Sequence, residues 1–231
     1  MENISLEDCM NPITINADHP AYNEHIERYH FASTLCFNKK VLDIACGAGY
    51  GSRIISDSGA KQVIGADISD DNIKYAKSKY SKENITFVKH DVTLEFGDEF
   101  DVVVSFETIE HVDDHIAAMK ALYSATKSGG LLIISSPNRS ITNPYLPSNT
   151  PCNAGGHIRE FTIDEFRGFF LNVGYTEIGL FGQRMQHSFR HPLLEKHYKR
   201  LFKPSRKASP KVSQVRDLQP EYFIFVLAKN A

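Results

Sequence analysis

An apolar run that passes directly into a glycine-rich turn constrains this chain most. Residues 41–51 read Val-Leu-Asp-Ile-Ala-Cys-Gly-Ala-Gly-Tyr-Gly, and Gly47, Gly49 and Gly51 can adopt positive φ and let the backbone approach a ligand closely. The helix predicted to follow offers unpaired N–H groups in its first turn. The stretch therefore predicts an α/β fold with a nucleotide-like ligand at the end of its first strand.

Two carboxylates indicate which nucleotide binds, because the glycine spacing alone also occurs in nicotinamide and flavin enzymes. Asp67 lies in the next predicted strand, residues 62–68, where a carboxylate can accept both hydroxyls of a ribose. Asp43 precedes the glycines, where a negative charge would not help a phosphate but would stabilise a cationic methionine group. These residues favour S-adenosylmethionine. A tight strand-to-helix connection that binds nothing is the alternative.

Residues 39–182 resemble the class I S-adenosylmethionine-dependent methyltransferases in the order of their segments. The matching segments after Asp67 are residues 85–91, which end in Asp91, residues 100–106 and residues 129–135. The resemblance implies an α/β, Rossmann-like fold: a seven-stranded, mostly parallel sheet with helices on both faces and an antiparallel last strand. The cofactor-binding residues that it implies are Asp43, Ala45, Gly47, Gly49, Asp67, Ile68, Asp91, Val92 and Phe106.

We expect one domain, because 231 residues with 42% hydrophobic content and a net charge of −2 can bury a core of the size a large sheet needs. The predicted helices are residues 52–57, 71–80, 115–125 and 163–171, and the final two strands are residues 175–181 and 221–228. The domain divides into an N-terminal helical lid (1–38), a cofactor-binding core (39–182), a basic insertion (183–220) and a last strand (221–231).

Location and cysteine chemistry follow from what the sequence contains. The N-terminus has no basic segment followed by an apolar run, and no apolar stretch approaches membrane-spanning length, so we expect a cytoplasmic protein. The four cysteines show neither metal-binding nor disulfide-dense spacing, which favours free thiols in a reducing compartment.

The predicted lid contains a helix over residues 19–30 that is rich in aromatic and polar groups. Tyr22, His25, Arg28 and Tyr29 could contact cofactor or substrate from it. The alternative is a solvated helix that packs through Ile26 and Tyr29.

The segment after the fourth strand carries the candidate chemistry. Spacings of three and four residues would place Glu107, Glu110 and His111 on one face of a helical turn. With His157, this pattern resembles the metal site of small-RNA 2′-O-methyltransferases, and its first part resembles ubiquinone-pathway O-methyltransferases. The resemblance implies that Glu107, Glu110, His111 and His157 bind a divalent ion such as Mg²⁺ or Mn²⁺.

A metal at this position would lower the pKa of a substrate hydroxyl and present it to the sulfonium methyl group. Glu107, Glu110 and His111 are then the catalytic residues. In the metal-free alternative His111 is the general base and His157 lines the acceptor pocket. Both interpretations predict methyl transfer to oxygen.

Two further segments bear on the acceptor. Residues 137–151 are rich in Pro, Asn and Ser and predict an irregular loop, in which Asn138 and Arg139 either bind polar acceptor groups or satisfy the loop's own backbone.

Residues 184–219 are strongly basic, with a helix predicted over 191–202. They predict an anionic partner, which could be a phosphorylated or lipid-linked glycan, a nucleotide sugar, RNA or a membrane surface. The alternative is a basic surface or homodimerisation element.

The sequence favours three classes of methyl acceptor to different degrees. A hydroxyl of a sugar, a glycan or a related phosphorylated small molecule comes first, because residues 29–32 and 157–161 resemble methyltransferases of bacterial surface-polysaccharide biosynthesis. RNA comes second, weakened by the overall acidity of the chain. Phenolic quinone precursors come third. An inactive scaffold that retains the fold is the non-enzyme alternative, and the intact set of Asp43, Asp67 and Asp91 argues against it.

Overall fold

The computed structural model describes residues 20–147, 150, 152, 156–185, 211–216 and 218–230. The helices are α1 (Pro20–Ser33), α2 (Tyr50–Asp57), α3 (Asp70–Tyr80), α4 (His115–Ala125), α5 (Arg139–Thr142) and α6 (Ile163–Val173), with a 3-10 turn at Ile109–His111. The strands are β1 (Lys40–Ile44), β2 (Gln62–Asp67), β3 (Ile85–Lys89), β4 (Phe100–Phe106), β5 (Thr126–Pro137), β6 (Tyr175–Gln183), β7 (Ser213–Gln214) and β8 (Tyr222–Lys229).

The strands form one sheet in the order β3-β2-β1-β4-β5-β8-β6-β7. The first five strands pair in parallel, and β8 pairs antiparallel with β5 on one side and with β6 on the other. The chain turns from one half of the sheet to the other between β1 and β4, and ligands of open α/β sheets bind at such a point beyond the carboxyl ends of the strands.

The predicted fold class is confirmed, with one difference in strand number. The sheet has eight strands rather than seven because the two-residue strand β7 pairs with the end of β6. Two residues are too few to give an alternating sequence pattern, so this strand could not be predicted from the sequence.

Apolar layers cover both faces of the sheet, as expected for buried parallel strands. Val41, Val63 and Ile55 belong to the layer that includes side chains of α1, α2 and α3. The layer on the other face contains Leu42 of β1 together with side chains of α4 and α6, such as Met119 and Phe166. Neighbouring residues of β1 therefore face opposite layers, which explains why this strand is continuously apolar around Asp43.

Local capping fixes the helix ends that the sequence located only approximately. Thr162 and Glu165 form a capping box at the start of α6, and Gly174 ends that helix with φ 110°. Helix α6 accordingly extends two residues beyond the predicted end at residue 171. Ser69 caps α3 and Asp114 caps α4 through their side chains.

Helix α1, the helix of the predicted lid, packs into the core of the domain. Tyr29 and Ala32 are buried in the apolar layer beside α2. Glu24 forms an ion pair with Arg184, and Arg28 donates to Gln183 at the end of β6. These contacts fix the helix against α2 and the carboxyl end of β6.

The remaining fold predictions have mixed outcomes. Cys36, Cys46 and Cys152 are buried free thiols, as predicted, whereas Cys9 lies outside the described residues. In the part of the chain described here, no helix combines the length and apolar character needed to cross a membrane. Most of the basic insertion, including the helix predicted at residues 191–202, lies outside the described residues.

Candidate active site

The three glycines that follow β1, two in the loop and Gly51 in α2, have two different roles. Gly47 and Gly49 have φ 54° and 88°, and a Cβ on Gly49 would lie 2.6 Å from Ala76 Cβ. Gly51 does not have positive φ, so that part of the prediction is wrong. A Cβ on Gly51 would lie 2.0 Å from Tyr29 Cζ, which means that this glycine makes room for the tyrosine ring.

Ala45 opens the loop with φ 60°, a left-handed conformation that is costly for an alanine. The next residue, Cys46, donates its N–H to Ala66 O at 2.9 Å and so ties the loop to β2. The loop therefore holds a strained conformation at the position where the ligand is expected.

Asp43 is fully buried beneath this loop. Its carboxylate accepts hydrogen bonds from Tyr29 Oη at 3.0 Å and from Ser52 Oγ at 2.6 Å. Burial raises the pKa of Asp43 to about 7, although both hydrogen bonds oppose the shift. A buried carboxylate of this kind gains most from a cationic ligand group nearby.

Asp67 braces the loop from the end of β2. Its Oδ2 accepts the N–H of Gly47 at 2.8 Å, and its Oδ1 accepts from Ser69 N at 2.9 Å and Asn72 Nδ2 at 3.3 Å. Ile68 is 52% exposed beside it. An acceptor carboxylate next to an exposed apolar side chain fits the ribose and the adenine of S-adenosylmethionine.

The third strand leads into Asp91 and Val92, two further residues of the predicted cofactor-binding set. Asp91 Oδ1 accepts from Thr93 N at 2.9 Å and from Thr93 Oγ1 at 2.8 Å, which holds the turn after β3. Val92 is partly buried in this turn. Asp67 ends β2, and Asp91 and Val92 follow the neighbouring strand β3, so all three border the same edge of the sheet.

Phe106 ends β4 and packs edge-on against the Tyr29 ring at 5.1 Å between centroids. Glu107 follows with φ 49°, and it accepts from Ser135 Oγ at 2.7 Å. This positive φ keeps Glu107 out of the 3-10 turn that begins at Ile109. Glu107 therefore does not share a helical face with Glu110 and His111, contrary to the expectation from their spacing.

Glu110 is fully buried, and only one of its two carboxylate oxygens has a hydrogen-bond partner among the described residues. Its Oε2 accepts from Ser136 Oγ at 3.0 Å, whereas Oε1 has no hydrogen-bond partner among the described residues. Burial, and then the charge of Glu107, raise the pKa of Glu110 well above its usual range. A buried carboxylate oxygen without a partner costs free energy unless a proton or a cation compensates it.

Two histidines approach this carboxylate. His111 Nδ1 lies 3.1 Å from Gly156 O, and the rings of His111 and His157 meet edge-on with centroids 4.8 Å apart. Glu110, His111 and His157 each offer a ligand atom, and these atoms lie within 4.8 Å of one another. Three of the four predicted metal ligands thus converge, and Glu107 lies outside this group.

Glu160 is the neighbouring residue that the sequence analysis missed. It is 3% exposed, and its Oε1 lies 2.8 Å from His157 Nδ1. Burial opposes ionisation, but hydrogen bonds from His157, Thr142 and Asn143 outweigh it and hold the pKa of Glu160 below its usual range. The spacing of three residues between His157 and Glu160 was the available signal.

Arg28 is the most unusual residue of α1, since its side chain is buried at 1% exposure. Its Nη1 donates to Gln183 Oε1 at 2.7 Å, and its guanidinium lies 5.0 Å from the centroid of the Tyr222 ring. In the described part of the chain its Nε has no hydrogen-bond partner. The predicted lid thus directs a buried positive charge toward the ends of β6 and β8.

The loop after β5 was predicted to be irregular, but its described part contains the short helix α5. Asn138 is buried, caps this helix at Ser140 N and donates to Pro220 O at 2.9 Å. Arg139 donates to Leu146 O at 2.8 Å and to Glu165 at 2.5 Å. These contacts favour the interpretation that both residues serve the backbone of the loop.

The strand order, the glycine loop and the acidic strand ends together define a class I, S-adenosylmethionine-dependent type of methyltransferase fold. Solved structures agree. An S-adenosylmethionine-dependent methyltransferase from Thermotoga maritima is 17% identical with a TM-score of 0.70, covering 97% of this chain and 98% of its own. The methyltransferase domain of a bacterial Hen1 protein is 19% identical with a TM-score of 0.61, covering 90% of this chain and 100% of its own.

Sequence comparison identifies the family. Residues 19–178, more than half of the chain, match a family described as a methyltransferase domain, and the chain belongs to this family. A probable S-adenosylmethionine-dependent methyltransferase of Mycobacterium tuberculosis is 29% identical over 162 residues, which cover 70% of this chain and 57% of the relative. A ubiquinone biosynthesis O-methyltransferase of Cereibacter sphaeroides is 39% identical over 105 residues, which cover 44% of this chain and 42% of the relative. The chain thus matches only about half the length of these relatives.

Proposed function

We propose that the protein transfers a methyl group from S-adenosylmethionine to a hydroxyl group with the help of a divalent ion. The convergence of Glu110, His111 and His157 within 4.8 Å carries this proposal. The proposed acceptor is a sugar, a glycan or a related phosphorylated small molecule.

The donor atoms suit an ion such as Mn²⁺ or Mg²⁺. Two imidazoles and one carboxylate leave coordination positions open for substrate, and mixed nitrogen and oxygen ligands suit borderline ions better than Mg²⁺. Among the described residues Glu110 Oε1 has no hydrogen-bond partner, and this observation fits a cation most directly. When bound, such an ion would act as a Lewis acid that lowers the pKa of an acceptor hydroxyl.

The protein residues would contribute position and a dry environment. Asp67 and Ile68 would hold the nucleoside, and Asp43 would face the charged methionine part. Phe106 and Tyr29, whose rings pack edge-on, would line the apolar side of the site. Because an alkoxide and a sulfonium lose their charges as they react, a site that excludes water favours the transfer.

Glu107 has a supporting role in this proposal rather than a metal-binding one. Its hydrogen bond from Ser135 fixes it beside Glu110, where its negative charge raises the affinity of the site for a cation. His111 remains the general base if transfer proceeds without a metal.

A phenolic acceptor is the second candidate, because the Cereibacter relatives are named ubiquinone biosynthesis O-methyltransferases. Their matched region includes less than half of this chain, so they support O-methylation more than they support a particular acceptor. The Hen1 neighbour is similar in fold alone, and RNA therefore stays the weaker alternative.

A methyl-transfer assay tests the proposal. The protein is incubated with methyl-labelled S-adenosylmethionine and panels of sugars, sugar phosphates, catechols and short RNAs, after EDTA treatment with or without added Mn²⁺. We expect label on a sugar hydroxyl that depends on Mn²⁺ and disappears in Glu110→Gln. Label on a nitrogen, or equal transfer in EDTA, contradicts the proposal.

A further inference from the structure

The network around Glu160 lies directly behind the proposed metal ligands. Glu160 Oε1 lies 2.8 Å from His157 Nδ1, whereas Oε2 accepts from Thr142 Oγ1 and from Asn143 Nδ2, the latter at 2.8 Å. Cys152 Sγ lies 3.8 Å from Oε1. The carboxylate thus joins the imidazole of His157 to the end of α5.

This contact determines which nitrogen of His157 carries the proton. An ionised carboxylate can only accept hydrogen bonds, so His157 Nδ1 must donate to Glu160. In the neutral imidazole Nε2 then carries the lone pair that can bind a cation. Metal-binding histidines commonly have such a carboxylate partner behind them.

We propose that Glu160 is a positioning residue that holds His157 in this tautomer, with Nε2 directed toward Glu110 and His111. The inference rests on the proposed metal-assisted function and adds a residue that contacts neither the ion nor the substrate. Thr142 and Asn143 contribute to this positioning, because they donate hydrogen bonds to the second carboxylate oxygen of Glu160.

The network predicts an unusual effect of Glu160→Gln. Asn143 Nδ2 is a donor, and Thr142 donates its hydroxyl, so the amide oxygen of the variant would face these two residues. The amide N–H₂ would then face His157 and force Nδ1 to accept. The proton of His157 would move to Nε2, the atom that should bind the ion.

The first measurement reads the tautomer in metal-free protein. Imidazole ¹⁵N chemical shifts are recorded for the wild type and for Glu160→Gln, with the His157 signals assigned through His157→Gln. We expect the Nδ1–H tautomer in the wild type and the Nε2–H tautomer in the variant. The same tautomer in both proteins overturns the positioning role, whatever the protein does with metal.

The second measurement is a Mn²⁺ titration followed by the electron paramagnetic resonance of the free ion. We expect Glu160→Gln to weaken Mn²⁺ binding about 10- to 100-fold, as loss of such a partner does at other metal sites. Asp164→Asn, at an exposed carboxylate in α6, is the matched control and should bind like the wild type. Thr142→Val removes one donor to Glu160 and should cause a smaller loss, which keeps the test valid if Glu160→Gln folds poorly.

The remaining outcomes separate this inference from the proposed function. Equal Mn²⁺ affinity in the wild type and in folded Glu160→Gln overturns the positioning role and leaves the metal site standing. A wild type that binds no Mn²⁺ overturns both. Loss of Mn²⁺ binding in Cys152→Ala would assign the ion to the alternative group of Cys152, His157 and Glu160, and would overturn the inference because Glu160 would then be a ligand.

Discussion

At the residue scale, the proposed metal site depends most on Glu110, a fully buried carboxylate. Its Oε1 lacks a partner in the described structure, and burial raises its pKa well above the usual range. Without a cation the protonated form is therefore favoured, and a bound cation would favour the ionised form.

Glu110→Gln tests this interpretation. An amide has nearly the shape of a protonated carboxyl group, so we expect the variant to unfold within a few degrees of the wild type in EDTA. In Mn²⁺ the wild type should become more stable and the variant should not. Thermal unfolding in the two buffers measures both effects. A large loss of stability in EDTA would mean that Glu110 is ionised and structurally required.

Asp43 gives a pH dependence at the same scale. Its folded pKa of about 7 lies above the ordinary value of 3.8, so in the folded free protein it gains a proton as the pH falls through 7. The ammonium group of S-adenosylhomocysteine favours the ionised form, and binding below pH 7 must therefore release a proton.

We expect the affinity for S-adenosylhomocysteine to fall roughly tenfold from pH 7.5 to pH 6, as linkage to such a pKa requires. Calorimetric titration across this range measures the effect. Asp43→Asn should bind more weakly at pH 7.5 and should show little of this pH dependence. An unchanged slope in the variant would assign the titrating group elsewhere.

The same raised pKa means that the contribution of Asp43 to stability declines as the pH rises from 4 to 7.

At the element scale, the packing of α1 against α2 depends on a missing side chain. Tyr29 of α1 lies over Gly51 of α2 and reaches Asp43, so the glycine allows a contact between the predicted lid and the cofactor loop. A third glycine in a glycine-rich motif is readily assigned to ligand approach, and sequence inspection gave no reason to assign it to Tyr29.

Gly51→Ala should therefore destabilise the protein by about 1–3 kcal/mol, because the added Cβ overlaps the Tyr29 ring. Gly168→Ala is the matched control, since a Cβ at that helical position meets nothing within 4 Å and alanine favours a helix by about 0.5–1 kcal/mol. Urea unfolding of both variants makes the comparison. Similar stability of the two variants would contradict the packing argument.

The order of the elements was predictable, whereas the contacts made by single loops were not. Apolar runs and the glycine turn predicted the parallel sheet, because the central strands β1 and β4 are buried along almost their whole length. The positive φ of Glu107 was not predictable, because it depends on a hydrogen bond to Ser135 of the adjacent strand. Helix α5 was also missed, because Asn138 caps it while its side chain bonds Pro220, far away in the sequence.

At the scale of the whole molecule, the proposed cofactor-binding and metal-binding residues lie in different halves of the sheet, along its carboxyl edge. Asp43 lies within β1, Asp67 ends β2, and Asp91 follows β3. Glu110 follows β4, and His157 follows β5. Cofactor binding and metal binding should therefore be lost independently, since each set of residues belongs to its own half of the sheet.

Stabilisation of the protein by S-adenosylhomocysteine tests whether cofactor binding is lost independently of the proposed metal site. S-adenosylhomocysteine at about 100 times its Kd should stabilise the wild type by about 2.7 kcal/mol. Glu110→Ala should keep this gain, and Asp67→Ala should lose most of it because its carboxylate also holds Gly47. Equal loss in both variants would contradict the division of tasks. Thermal unfolding with and without the ligand provides the comparison.

The central claim is that Glu110, His111 and His157 hold a divalent ion. Calorimetric titration of EDTA-treated protein with Mn²⁺ and Mg²⁺ in the presence of S-adenosylhomocysteine tests it most directly, with Glu107→Ala/Glu110→Ala as the control. We predict one ion per chain in the wild type and none in the double variant. No binding in the wild type would contradict the claim and leave His111 as the general base of a metal-free methyltransferase.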